Sequence, residues 1–292
     1  MRRLIGLALV AFCALAGAEI VVVDDSGATV RLAQPARRII SLAPHVTESL
    51  FAVGAGERIV GTVEYSNYPQ AARKIARVGG YSRLDLETIV ALKPDLVIVW
   101  ESGNIKAHVD KLRAMGLTLY LTEPKRIDDV TSTLERFAEL AGSGEAGRRT
   151  VADLRRRLDV LRQNYSRKPP VRTFYQIWKE PLSTVGGKQI ISSVISLCGG
   201  DNVFGRLETL APVVSVEAVI AANPEVIIAS GMDEARPEWL ADWRRWTSIT
   251  AVARDNLFFI HPDLIQRHTP RLLDGAERLC QQLETARRRR PR

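Results

Sequence analysis

Seven short apolar runs punctuate the chain, at residues 38–42, 59–63, 96–99, 117–121, 172–177, 226–229 and 257–260. Polar or turn-forming residues flank most of their ends. Runs of this length, mostly apolar, read as strands covered on both faces, as in a parallel sheet. The stretches between them carry helical patterns; Ile89, Val90 and Leu92, for example, belong to a short helix opened by acidic residues and stopped by Pro94. Alternating strands and helices predict an α/β fold on mostly parallel sheets.

One helical stretch stands apart. Val151, Leu154, Leu158 and Leu161 fall on one stripe, while Arg148, Arg149, Arg155, Arg156, Arg157 and Arg162 cover much of the rest. Gly142 and Gly144 precede it and Pro169-Pro170 ends it. The spacing predicts a single connecting helix of about 20 residues, near 30 Å long.

The chain also echoes itself. Leu86-Glu87 through Pro94-Asp95-Leu96-Val97-Ile98 returns as Val216-Glu217 through Pro224-Glu225-Val226-Ile227-Ile228, 130 positions later. A second echo pairs Gly54-Ala55-Gly56 and its sequel with Cys198-Gly199-Gly200 and its sequel. Two copies at so long a period indicate two similar lobes, not a solenoid. A length of 292 residues suits this. We divide the chain into an N-terminal lobe over 19–143, a connecting helix over 144–168, a C-terminal lobe over 169–286 and a basic tail over 287–292.

Residues 1–18 have the parts of a secretory signal peptide: Arg2 and Arg3, an apolar stretch from Leu4 to Leu15, then Ala16-Gly17-Ala18. Cleavage is expected after Ala18, with export to the periplasm. A lipoprotein signal at Cys13 would want a small residue where Phe12 stands. The net charge of +8 is concentrated at the ends: Arg2, Arg3, Arg287, Arg288, Arg289, Arg290 and Arg292 supply seven, leaving +1 for the body. That excludes an electrostatic footprint for nucleic acid, and the basic tail reads as a solvated, frayed end. Cys198 and Cys280 remain after cleavage, either as a disulfide favoured by an oxidising compartment or as two buried thiols. No Gly-x-Ser-x-Gly elbow, P-loop or His-Glu-x-x-His occurs, which argues against an enzyme.

Asp25-Ser26-Gly27 with Val30-Arg31-Leu32, Arg38 through Pro44, Thr47-Glu48 and Gly54-Ala55-Gly56 resemble the helical-backbone class of periplasmic binding proteins. These serve ABC importers of cobalamin, ferric siderophores and haem. Tyr65 through Pro69, Leu86-Glu87 through Trp100, Leu197 through Phe204, and Asp263 through Arg267 with Pro270-Arg271 and Leu279-Cys280 are most similar to its cobalamin-binding members. The resemblance implies two α/β lobes on one connecting helix, a ligand cleft between them, a bridge between Cys198 and Cys280, and a monomer that delivers its guest to a permease dimer at the inner membrane. Cobalamin, or a related corrinoid, is then cargo; no cofactor and no protein metal site are expected. Haem or a ferric siderophore on the same scaffold is the alternative.

A disc-like corrin fringed with neutral amides asks for flat apolar walls and a few polar anchors. Tyr65, Trp100 and Trp178 follow or end strands, where open α/β sheets bind ligands, and Tyr81 lies in the Gly79-Gly80-Tyr81 turn. The resemblance places Tyr65, Tyr81 and Trp100 in the first lobe's wall and Asp263 with Arg267 as the second lobe's polar pair. It expects a cleft Phe where Ile177 stands and a cleft Trp near Leu210-Ala211; either Trp178 is the substitute wall or the ligand is a different corrinoid. Trp239, Trp243 and Trp246 read as packing. His45, after Pro44, is either a polar turn residue or an axial ligand to cobalt or iron. Glu87 and Glu217 are, by resemblance, the permease-docking pair, one per lobe; at helix starts they also suit the local dipole.

Overall fold

All seven apolar runs become strands. The structure, a computed structural model, describes residues 19–231 and 238–291; the signal segment expected at 1–18 lies outside the described residues. In chain order, β1 (Ile20–Val23) and β2 (Thr29–Leu32) form an antiparallel hairpin. There follow β3 (Ile39–Ser41), α1 (Pro44–Ala52), β4 (Ile59–Thr62), α2 (Leu86–Ala91), β5 (Leu96–Trp100), α3 (Lys106–Ala114), β6 (Leu119–Thr122) and α4 (Ile127–Leu140). Then α5 (Gly144–Tyr165) connects to β7 (Val171–Gln176), α6 (Ile190–Leu197), β8 (Gly200–Asn202), α7 (Val216–Ala222), β9 (Val226–Ala229), α8 (Thr250–Ala253), β10 (Leu257–Phe259), α9 (Pro262–Ile265) and α10 (Leu272–Arg288).

The two sheets share one topology. Their orders are β4-β3-β5-β6 and β8-β7-β9-β10, parallel throughout. The internal repeat has a physical cause. Asp95, just before β5, accepts from the backbone N–H groups of Arg37 and Arg38 at 2.7 and 3.0 Å, at the threshold of β3. Its counterpart Glu225, just before β9, accepts from the N–H of Arg172 in β7 at 3.4 Å. Arg38 in turn donates to the carbonyl of Leu92 at the end of α2, and Arg172 to that of Ala222 at the end of α7. Each acid-and-arginine set closes a helix and aligns the two central strands of its sheet. The second echo marks the exits of α1 and α6, where Gly54 and Gly199 take φ of +79° and +68°, a backbone that glycine adopts without Cβ strain.

The stripe of Val151, Leu154, Leu158 and Leu161 on α5 is buried, and α5 packs against α4 and α10. A continuous apolar cluster runs from Ile39 and Leu50 through this stripe to Val194 and Leu279. Two further clusters lie on the far faces of the sheets; Trp243 is buried in one of them, with Trp239 and Trp246 packed against it. Cys198 at the end of α6 and Cys280 in α10 form a disulfide with Cα atoms 4.6 Å apart, across a sequence separation of 82.

The basic tail corrects the sequence reading. Residues 287–290 are fastened rather than frayed: α10 runs to Arg288. Arg287 donates to the carbonyls of Pro169, Cys198 and Gly199 at 2.9, 2.8 and 2.9 Å. Arg289 reaches the carbonyl of Asp255 at 2.6 Å, and Arg290 pairs with Glu225 at 2.8 Å. Charge composition alone hid this, because a guanidinium fork also satisfies the orphan carbonyls at helix ends.

Candidate ligand-binding cleft

The site lies where the sheets end. Buried hydroxyls fix the first lobe's contribution: Ser41 Oγ lies 2.8 Å from Thr47 Oγ1, which lies 2.6 Å from Thr62 Oγ1, and Thr62 donates to Ser66 at 2.8 Å. This network ties the ends of β3 and β4 to α1 and sets the loop that carries Tyr65. Tyr65 has φ +62° and is 75% exposed. Trp100 closes β5; its backbone N–H donates to Asn104 Oδ1 at 2.7 Å, and Asn104 donates back to the carbonyl of Leu42 at 2.9 Å. A Cβ on Gly103 would sit 1.9 Å from the Trp100 ring, so glycine is what lets the indole lie flat against that loop.

A cleft of about 270 Å³ opens between the lobes. Tyr81 and Trp100 line it from the first lobe; Ile177, Leu210, Ala211 and His268 line it from the second. Tyr81 is 78% exposed. Trp178 stands outside this lining: its Nε1 donates to the carbonyl of Glu180 at 3.0 Å, which folds the ring back on its own turn. The smaller Ile177 provides that wall instead.

His45, read as a polar turn residue or an axial ligand, sits inside a helix. It is buried in the first turn of α1, its ring centroid 5.1 Å from those of both Trp100 and His268. His268, from the other lobe, is buried too. Burial holds His268 down at about 4. It also holds His45 well below the usual imidazole range, with nearby His268 and Arg267 adding to the effect. Both imidazoles are therefore neutral at neutral pH. Among the described residues, His45 Nε2, His268 Nδ1 and Trp100 Nε1 have no hydrogen-bond partner, and no group of three or more potential metal ligands occurs.

Asp263 and Arg267 form an ion pair at 2.8 Å. Arg267 also crosses to the first lobe, donating to Asn67 Oδ1 at 3.0 Å and to the carbonyl of Tyr65 at 3.3 Å. The structure thus brings Tyr65, Asp263 and Arg267 together, next to the lining residue His268. Behind them lies a pair that sequence reasoning assigned no role. Glu48 of α1, 3% exposed, accepts from Arg271 of the second lobe, whose guanidinium also lies 3.8 Å from the centre of the Tyr68 ring. The only sequence signal was their presence in Thr47-Glu48 and Pro270-Arg271.

Glu87 and Glu217 occupy equivalent places, each the second residue of its helix, α2 or α7. Asp85 and Ser215 already cap those helices, accepting from the N–H of Thr88 and Ala218 at 3.0 and 3.1 Å. Both glutamates are exposed, and among the described residues neither has an ion-pair partner within 4.0 Å.

Comparison with known proteins agrees with this architecture. A family profile described as periplasmic binding protein matches residues 39–264. The chain is 38% identical over 253 residues to the vitamin B12-binding protein of Vibrio cholerae, covering 86% of this chain and 91% of that one. It is 36% identical over 251 residues to the vitamin B12-binding protein of Yersinia pestis, covering 86% and 88%. The crystal structure of the periplasmic vitamin B12-binding protein of Vibrio cholerae superimposes with a TM-score of 0.80, covering 87% of this chain and 98% of that one. A periplasmic haem-binding protein from Roseiflexus, at 23% identity and a TM-score of 0.75 over 86% and 98% of the two chains, shares the fold. With two equivalent parallel-sheet lobes on one helix, a cleft between them and a family match across most of its length, the chain belongs to the periplasmic binding protein family.

Proposed function

We propose that this protein captures cobalamin, or a related corrinoid, in the cleft between its lobes and delivers it to an ABC importer. The observation that carries this reading is the 38% identity, sustained over 253 residues, to a vitamin B12-binding protein. The chemistry of the cleft supports it. Tyr81, Trp100, Ile177 and Leu210 offer flat apolar contact, which suits a macrocycle with a neutral rim better than a multiply charged ferric chelate. Tyr65 adds to the aromatic wall in this reading, and Asp263 and Arg267 are the polar anchors: a carboxylate accepts from amide N–H groups and a guanidinium donates to amide oxygens.

Glu87 and Glu217, one per lobe and uncommitted within the fold, are the contacts to a two-subunit permease. The protein acts as a monomer in the periplasm, exported by residues 1–18, and performs no chemistry on its cargo. A visible-absorbance titration with cyanocobalamin, dicyanocobinamide, haem and a ferric siderophore tests the reading. Saturable one-to-one binding of a corrinoid is the expected result; binding of haem or siderophore with no response to either corrinoid would overturn it.

A further inference from the structure

The cleft alone is small for such a guest. Cavities that enclose drug-sized ligands run to roughly 300–1,000 Å³, a complete cobalamin is larger than a drug, and the cleft measures about 270 Å³. A second space of about 780 Å³ adjoins it, and Lys125 and Lys188 line both. Its walls are the start of α4, the last turns of α5 and one face of α6.

The chemistry changes across that junction. Apart from those two lysines at the junction and Ser102, Glu123 and Gln189, the cleft is walled by rings and aliphatic chains. In the groove, Lys125, Arg126, Arg162 and Lys188 stand against one lining carboxylate, Asp128. Arg162 holds Asp128 at 2.8 Å, with Arg126 3.9 Å away on the other side. Lys188 pairs with Glu208. Lys125 is exposed and, among the described residues, has no ion-pair partner. A phosphodiester buried against Trp100 and Leu210 would lose its hydration without replacement. In the groove the same group gains a charge-assisted hydrogen bond.

We propose that this groove is an anion subsite, in which Lys125 holds the phosphodiester of the guest whose corrin occupies the cleft. This rests on the corrinoid reading above and adds a preference for the complete molecule over one that lacks the phosphate. Calorimetry on the intact protein tests it, with cyanocobalamin against dicyanocobinamide, which has no phosphodiester. Lys125→Ala is expected to weaken cyanocobalamin roughly tenfold, about 1.4 kcal/mol, and to weaken dicyanocobinamide far less. Lys125→Arg is expected to recover most of that loss, and added salt to narrow the gap between the two ligands in the parent protein.

No loss in Lys125→Ala, or an equal loss for both ligands, overturns the subsite while leaving the corrinoid reading in place. Inorganic phosphate that binds without displacing cyanocobalamin assigns the groove to a free anion and overturns it as well. A parent protein that binds neither corrinoid overturns the reading and the subsite together.

Discussion

Arg271 grips Glu48 across the lobes, Nε and Nη2 each lying 2.6 Å from a different carboxylate oxygen. Glu48 sits in the first lobe's α1 and Arg271 at the entrance to α10, 223 positions away. The lobes are thus joined at the cleft by a forked ion pair as well as by α5 behind it. Such a pair contributes little when formed, because both charges lose water, but is costly to break from one side.

Glu48→Ala is therefore expected to destabilise the protein by about 3 kcal/mol, the low end for a buried pair, since Arg271 keeps some exposure. The double variant Glu48→Leu, Arg271→Leu is expected to recover much of that loss. Urea unfolding of the three proteins checks the contrast. A double variant no better than the single one would mean that packing, not uncompensated charge, sets the cost.

The neighbouring histidines make stability depend on pH in a definite direction. The unfolded chain protonates each imidazole near 6.5, whereas folded His268 does so at about 4. The folded form binds fewer protons between those values. Its stability is complete above about pH 6.5 and falls as the pH drops toward about 4, by about 1.4 kcal/mol per pH unit for each such histidine. His268→Gln is expected to flatten this fall in urea titrations near pH 5 relative to pH 7. An unchanged slope would place the dependence on other groups.

Asp263→Ala is expected to weaken corrinoid binding roughly tenfold, the loss of one charge-assisted hydrogen bond. Asp263 also steadies Arg267, which reaches across to Asn67 and Tyr65. Binding must redirect that arginine or use it where it stands. Asn67→Ala, which removes one cross-lobe contact of Arg267 without touching Asp263, separates the two cases. If it tightens binding, the cross-lobe contact competes with the guest; if it weakens binding, the contact pre-positions the arginine. Unchanged calorimetric affinity in Asp263→Ala would remove that carboxylate from the site.

The sheets were legible in the sequence because a buried parallel strand leaves an unbroken apolar run, as at Val226–Ala229. β8 left none: Gly200, Asp201 and Asn202 form a strand by pairing with β7 rather than by their own propensity. The stripe on α5 announced a helix because its period is local. The contacts that shape the site are not local. His45 meets His268, and Glu48 meets Arg271, only once two separately wound lobes face each other. Asp85 and Ser215 are caps that could be read from sequence, and recognising them frees Glu87 and Glu217 from the purely structural role their positions first suggest.

That freedom yields the last expectation. α2 and α7 keep their caps without Glu87 or Glu217, so Glu87→Ala with Glu217→Ala is expected to leave folding and ligand affinity intact. The loss of a favourable charge in each first turn amounts to about 0.3–1 kcal/mol. If each lobe offers its own contact to the permease, uptake by cells carrying the cognate permease is expected to fall sharply in the double variant and less in either single one. Charge reversal to lysine at both sites should lower uptake further if the permease presents cations there. Normal transport by the double variant, with normal cargo binding, would show that the exposed carboxylates of α2 and α7 serve the helices alone.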